Sequence, residues 1–451
     1  MASIVEKRGK YSVVVDYKDK DGKRRQKWES FDTKKEAEAY KAKIEYSKTV
    51  GLPTVLPNAG TVEDLLKEFV ETYGKEKWSY SNYASNESRI RNYIIPYIGK
   101  MKLKDVSPRW IENYYHMLLD MDKVHQEHIK AEDRKKITPY MVRSIHKLLH
   151  CAFRQAVRWE MIATNPFDKV IAPKHKETPR EIWEMEDLKK ALEVCEDPIL
   201  ELCINLAFSC SLRLGEILGL TWDCVHIDDE LIESNSAWIY VNKQLQRITV
   251  DAYNALGDNS VILKFPQTSI NVTTRLVLKE PKTPTSVRKI FLPRTVALLL
   301  KERKKLLDSY IQYLGDDYMD FNLVICYENG TPMEQGKIRS KLNELIQKNN
   351  LKPVVFHSLR HSSTTYKLKI SGGDIKAVQG DTGHAEASMI TERYAHVLDD
   401  DRRINAEKFE EMFYQEKKDH SLRGNADDLT TVMKKLKESP ELLALLKTLI
   451  T

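Results

Sequence analysis

The stretch FHSLRHSSTTYKLKISGGDIKAVQGDTGHAEASMITERYAHV, residues 356–397, carries a pattern of polar groups that core packing does not require. His357 and Arg360 stand three apart, which on a helix sets them on one face. Gly383-His384 follows, and Tyr394 comes ten positions after that histidine, with His396 beyond it. Singly, each piece has a plain explanation: a solvated helix face, a turn glycine, a core aromatic. Two further motifs upstream change that weighing.

The first is Ser211-Leu212-Arg213-Leu214-Gly215-Glu216, on a turn entering a helix. The second is Pro281-Lys282-Thr283, read as the tip of a β-hairpin between strands Thr274–Leu278 and Arg288–Leu292, with Ser286, Arg288 and Lys289 just beyond. A strand is also expected at Trp238–Val241, and helices at Glu186–Cys195, Pro198–Leu206 and Thr295–Leu314. Residues 244–272 have weak periodicity and receive no assignment.

The rest of the 451 residues is too long for one ordinary core. Strands Tyr11–Tyr17 and Arg24–Phe31 flank the Asp19-Lys20-Asp21-Gly22 turn. Thr33, with Glu36 three residues on, opens a helix to about Thr49. Four helices follow: Thr61–Tyr73, Tyr80–Ile95 ended by Pro96 and Gly99, one capped by Ser107-Pro108, and one capped by Thr138-Pro139 and running through Val157. The charged stretch Asp120–Lys136 reads as a mobile loop, and Asn165–Thr178 as an interdomain linker. The fold class is therefore multidomain α+β. A small N-terminal β-sheet-plus-helix unit covers 1–52 and an all-α region 61–175. A mixed, mainly-α domain with a small antiparallel sheet covers 181–415, and an apolar helical tail 421–451.

Net charge is +6, and Lys7–Lys27 alone holds nine basic residues against Asp16, Asp19 and Asp21, a surplus equal to that of the whole chain. A concentrated positive segment on a neutral body points to a polyanion partner. No apolar run approaches the roughly 18 residues a membrane helix needs, and the first residues lack a secretory apolar region, so a cytoplasmic protein is expected. The six cysteines show no metal-ligand spacing and read as free thiols, with Cys203 and Cys210 buried on one helix face.

With Arg213 and Glu216, Lys282, His357 and Arg360, Gly383-His384 and Tyr394 in this order, the chain resembles the tyrosine recombinase family of phage and conjugative-transposon integrases. The likeness extends over almost the whole chain: 1–52 resembles an arm-site DNA-binding domain, 61–175 a core-binding domain and 181–415 the catalytic domain. Two positions depart from the family pattern, Ser211 where glycine is usual and Thr382 where leucine usually precedes Gly-His. Both bear on loop geometry and remove no functional group.

The resemblance implies a site-specific recombinase that cleaves and rejoins DNA through a 3′-phosphotyrosyl intermediate, integrating and excising a mobile element. Arg213 and Arg360 would grip the non-bridging oxygens, His384 would add a donor, and His357 would accept a proton or bond the phosphate. Tyr394 would be the nucleophile, Lys282 the general acid, and Glu216 would orient an arginine. Lys18, Lys20, Lys23, Arg24, Arg25 and Lys27 would meet DNA at distal arm sites. No metal or other cofactor is called for. The implied partners are double-stranded core and arm sites, a homotetramer on DNA, an excision factor and a host DNA-bending protein, on a bacterial nucleoid. Type IB topoisomerase-like relaxation and a non-catalytic DNA-binding accessory role are the alternatives.

Overall fold

The computed structural model describes residues 2–7, 9–18, 24–49, 60–124, 129–175, 181–258, 260–267, 272–372 and 374–383. Two compact units emerge: Met1–Pro179 with Gln246–Leu278, and Arg180–Leu245 with Lys279–Thr451.

The first unit opens on a three-stranded antiparallel sheet, one strand more than the sequence suggests. β1 (Ala2–Lys7) pairs with β2 (Lys10–Lys18), and β2 with β3 (Arg24–Phe31). Val13 and Val15 point at Ala37 and Ile44 of helix Lys34–Thr49, while Trp28 stands opposite Val14 and is 55% exposed. Thr33 accepts from Glu36 N at 3.3 Å, as its capping position requires.

The helical part packs Leu65, Leu66 and Phe69 against Ile94, Ile111, Val142, Ile145 and Phe153. Ser107 and Thr138 cap helices Pro108–Asp120 and Pro139–Arg158 through Trp110 N and Met141 N, as their Ser-Pro and Thr-Pro pairs predict. Two expectations need correction, and a third gains detail. Pro96 does not stop its helix: a π-helical turn at Ile90–Ile94 is followed by Ile95–Ile98, with Pro96 in that short first turn, where a missing N–H costs little. The Asp120–Lys136 loop is clamped at its base, where Lys123 N donates to Lys135 O and Ile137 N to Met121 O, both at 2.9 Å. Up to Val170 the presumed linker belongs to the core, because Phe167 and Val170 are buried in it.

The unassigned stretch folds as β6 (Gln244–Thr249), helix Val250–Leu256, β7 (Val261–Lys264) and β8 (Thr274–Lys279), in the sheet order β6-β8-β7. Ile248, Ala252 and Val277 pack on Tyr80, whose hydroxyl donates to Gly257 O at 2.7 Å.

The second unit is built around helix Pro198–Ser209, capped by Asp197, whose carboxylate accepts from Ile199 N and Leu200 N. Helices Arg294–Leu314, Gln335–Lys348 and Phe356–Ile370 surround it. A second sheet has the order β4 (Val225–His226), β5 (Trp238–Val241), β9 (Arg288–Phe291). Cys203 and Cys210 are fully buried free thiols, as expected, but Cys210 caps the end of helix Pro198–Ser209 and does not share its face with Cys203. Among the described residues, no helix is long and apolar enough to cross a membrane.

Candidate active site

Four segments of the second unit converge around two buried arginines. Helix Pro198–Ser209 ends at Cys210, and Ser211 then takes a left-handed backbone, φ 55°. That conformation suits glycine and costs a side-chain-bearing residue roughly 1–2 kcal/mol, so serine is the less favourable residue at this turn. Ser211 Oγ offsets part of the cost through a 2.6 Å hydrogen bond with Ser363 Oγ, both residues being buried. The turn leaves the Ser211 carbonyl pointing at Arg360, which donates to it through Nη1.

Arg360 also donates, through Nη2, to the carbonyl of Thr382 at the end of helix Ile375–Thr382. Its residue is 2% exposed, so the guanidinium plane is fixed by protein on both sides. Thr382 is buried, and its hydroxyl donates back to Val378 O at 2.8 Å, so the second departure is absorbed inside the helix. His357 lies exposed in the first turn of helix Phe356–Ile370, one turn before Arg360, its ring 4.6 Å from that of His361.

Arg213 is the N-cap of helix Leu214–Leu218. Its Nη1 donates to Glu216 Oε1 at 2.6 Å and its backbone N to Oε2 at 3.0 Å. Longer contacts run from Nη1 to Ser286 Oγ, 3.5 Å, and from Nη2 to Gly383 O, 3.4 Å. The Arg213 side chain is 37% exposed, whereas Glu216 is almost wholly enclosed. Burial pushes the Glu216 carboxyl up, but the charges of Arg288 and Arg213 overcome it and hold the group below its usual range.

Lys282 is exposed, but it does not tip a hairpin. β8 and β9 belong to different sheets, and Lys282 sits in the connection between them, ahead of a 3-10 turn at Pro284–Ser286. The strands diverge because β9 pairs with β5 while β8 pairs within the 244–279 insertion. Lys279 at the end of β8 is buried, and burial, then the charge of Lys282, lowers its pKa.

Arg213, Lys282, His357, Arg360 and Glu216 thus all belong to this one unit. His384 and Tyr394 lie outside the described residues, as does the 421–451 tail. Of the basic N-terminal set, Lys20 and Lys23 also lie outside, Arg24 is exposed at the start of β3, and the backbones of Lys18, Arg25 and Lys27 pair with Arg24, Tyr17 and Val15.

Two features went unread in the sequence. Arg288 is buried and bonded to Glu216, Ser286 O and Asp381 O. Its signal was parity: Ile290 and Leu292 face inward, so Arg288 must as well. In the first unit, a groove of about 400 Å³ is lined by Asn82, Asn86, Arg89, Arg143 and Lys147, and no carboxylate is among its described lining residues. Arg89 Nη1 donates to Asn86 at 2.8 Å, its enclosed Nε has no hydrogen-bond partner among the described residues, and burial lowers its pKa. The signal here was helix Pro139–Arg158, which holds Arg143, Lys147, Arg154 and Arg158 and no acidic residue.

Comparison with known proteins bears on both regions. Residues 183–401 match the phage integrase family, 3–47 an arm DNA-binding domain, and 61–119 the N-terminal SAM-like domain of phage integrases. A protein described as tyrosine recombinase XerC-like from Caldanaerobacter subterraneus is 25% identical over 89% of this chain and 96% of its own length. The ICEBs1 integrase of Bacillus subtilis is 22% identical over 74% of this chain and 79% of its own. The fold is similar to that of the Tn1549 transposon integrase in complex with transposon right end DNA, with TM-score 0.57 at 20% identity, covering 77% of this chain and 99% of that one.

Proposed function

The chain belongs to the phage integrase family of tyrosine recombinases, and from that premise we propose that it integrates and excises a mobile element. Residues 1–52 hold arm sites, 61–175 hold core sites and 181–415 carry the chemistry, with 421–451 docking on a neighbouring protomer. The observation that carries the reading is the convergence of the Ser211–Glu216 turn, the 283–286 loop and the 381–383 segment on Arg360 and Arg288. Arg213 lies in the first of those segments and Lys282 immediately precedes the second, 69 positions further along the sequence, while His384 follows the third in the chain. The matched arm domain favours recombination at defined sites over supercoil relaxation alone.

Arg213, partly exposed, supplies the outer half of a phosphate clamp. Arg360 supplies the inner half once the phosphate takes the place of the Thr382 carbonyl. Tyr394 Oη attacks phosphorus and passes its proton to His357 or water. The bond from phosphorus to the 5′-oxygen breaks, and Lys282 protonates the departing oxygen. His384 donates to a non-bridging oxygen. The phosphodiester becomes a 3′-phosphotyrosyl ester, and a 5′-hydroxyl from a second duplex reverses the step with the roles exchanged. Four such sites on two duplexes call for a DNA-bound homotetramer, with an excision factor and a host bending protein setting direction. Core DNA lies along the Arg89, Arg143 and Lys147 groove.

A core duplex nicked so that the 5′-hydroxyl strand diffuses away tests this. The wild-type chain is expected to accumulate a covalent protein–DNA complex, and Tyr394→Phe none. Covalent product from Tyr394→Phe would assign the nucleophile elsewhere, and none from the wild type would leave an accessory DNA-binding protein.

A further inference from the structure

Arg288 is 5% exposed at its side chain and donates from all three nitrogens of its guanidinium. Nε reaches Asp381 O at 2.8 Å, Nη1 reaches Ser286 O at 2.8 Å, and Nη2 reaches Glu216 Oε2 at 3.0 Å. These acceptors lie on three separate segments. Glu216 holds the turn of Arg213, Ser286 closes the loop that begins at Lys282, and Asp381 precedes Gly383 and His384 in the chain.

A planar guanidinium with fixed donor directions sets the relative positions of whatever it binds, which a flexible ammonium cannot do. Gly383 is fitted against it: its φ is +63°, and a Cβ there would stand 3.1 Å from Arg288 Nη1 and 3.0 Å from Thr285 O. The Thr283 and Ser286 hydroxyls are 2.9 Å apart, which closes the loop onto the same anchor.

We propose that Arg288 is a positioning residue for DNA cleavage, fixing Arg213, Lys282 and the 381–383 turn relative to one another while making no contact with DNA. The inference rests on the roles given to those residues above. The competing possibility is that Arg288 only neutralises Glu216 and stabilises the fold.

Arg288→Lys separates the two, because it keeps the charge beside Glu216 but cannot span three acceptors. The full chain is compared with the variant for core-duplex binding, and for single-turnover cleavage of the nicked duplex. Cleavage is read with an ordinary 5′-oxygen and with a bridging 5′-sulfur, a leaving group that departs as thiolate without a proton. The variant is expected to bind core DNA within about threefold of the parent. It should cleave the oxygen substrate about 100-fold more slowly, the scale of loss from a displacement near 1 Å. At least about tenfold of that loss should return with sulfur, where Lys282 is no longer needed. Near-parental cleavage of the oxygen substrate would overturn the proposal. A rate loss that merely tracks lost binding or lost folded protein would do the same, as would a loss that sulfur leaves untouched. Should Arg288→Lys not fold, Arg288→Gln, which can still donate to Glu216, carries the same expectations. Failure of the parent to trap DNA would instead reject the recombinase roles themselves.

Discussion

The two units both gather arginines, and they treat them in opposite ways. In the second unit Arg213 and Arg288 share one enclosed carboxylate, while Arg360 and Arg288 grip backbone carbonyls, so these three guanidinium planes are set by protein. In the first unit Arg89, Arg143 and Lys147 line an open groove that has no described carboxylate, and an enclosed nitrogen of Arg89 has no hydrogen-bond partner among the described residues. The first arrangement places charge, and the second merely concentrates it. Bond breaking at phosphorus needs donors held where negative charge develops. Holding a duplex needs cations near phosphates, with little demand on their angles.

Removing the carboxylate should turn the ordered region into a disordered version of the other, and it carries the largest expected effect. Glu216→Ala leaves Arg288 buried without a counter-charge and is expected to destabilise the second unit by about 3–5 kcal/mol at pH 7. The folded carboxyl is held below its ordinary value, so its contribution is complete above roughly pH 4.3, the unfolded value. It fades as pH falls from there toward the depressed folded value. Denaturant unfolding at pH 7 and near pH 3 should show the gap between parent and variant narrowing on the acid side. A gap of equal size at both would remove Glu216 from this ionic layer.

The contrast also explains what the sequence disclosed. The polar set of the second unit was read from the family resemblance of its ordered motifs, and spacing alone disclosed only its local parts: His357 and Arg360 stand one helical turn apart, and Arg213 and Glu216 share a turn. Helix caps at Ser107 and Thr138 were legible for the same reason. What escaped depends on contacts far along the chain. The 244–272 stretch has weak periodicity because its short elements bury only a few residues each, against Tyr80 some 170 positions earlier. Lys282 was placed on a hairpin because two strands flank it, yet β9 finds its partner in β5 and not in β8. Arg288 was legible by parity in its strand, but parity says nothing about which three acceptors a buried guanidinium will find.

If geometry matters in one region and charge in the other, replacing arginine by lysine should divide them. Arg213→Lys keeps the charge but loses the two-pronged donor, and cleavage of the nicked duplex is expected to fall about 10²–10³-fold. Arg143→Lys in the groove should leave core-duplex affinity within about threefold. Equal tolerance at both sites would mean that the Glu216 and Arg288 framework orients nothing of consequence.

The smallest effect is also the most specific for the groove. If Arg89 and Arg143 each neutralise one phosphate, Arg89→Gln and Arg143→Gln should each reduce the slope of log affinity against log salt by about 0.9. Arg213→Gln bears on a single phosphate at the cleavage point and should cost rate far more than slope. Titrations of a core duplex between about 0.05 and 0.3 M salt read the difference, since counterion release dominates over that range. A groove variant with an unchanged slope would take the first unit's cations off the DNA.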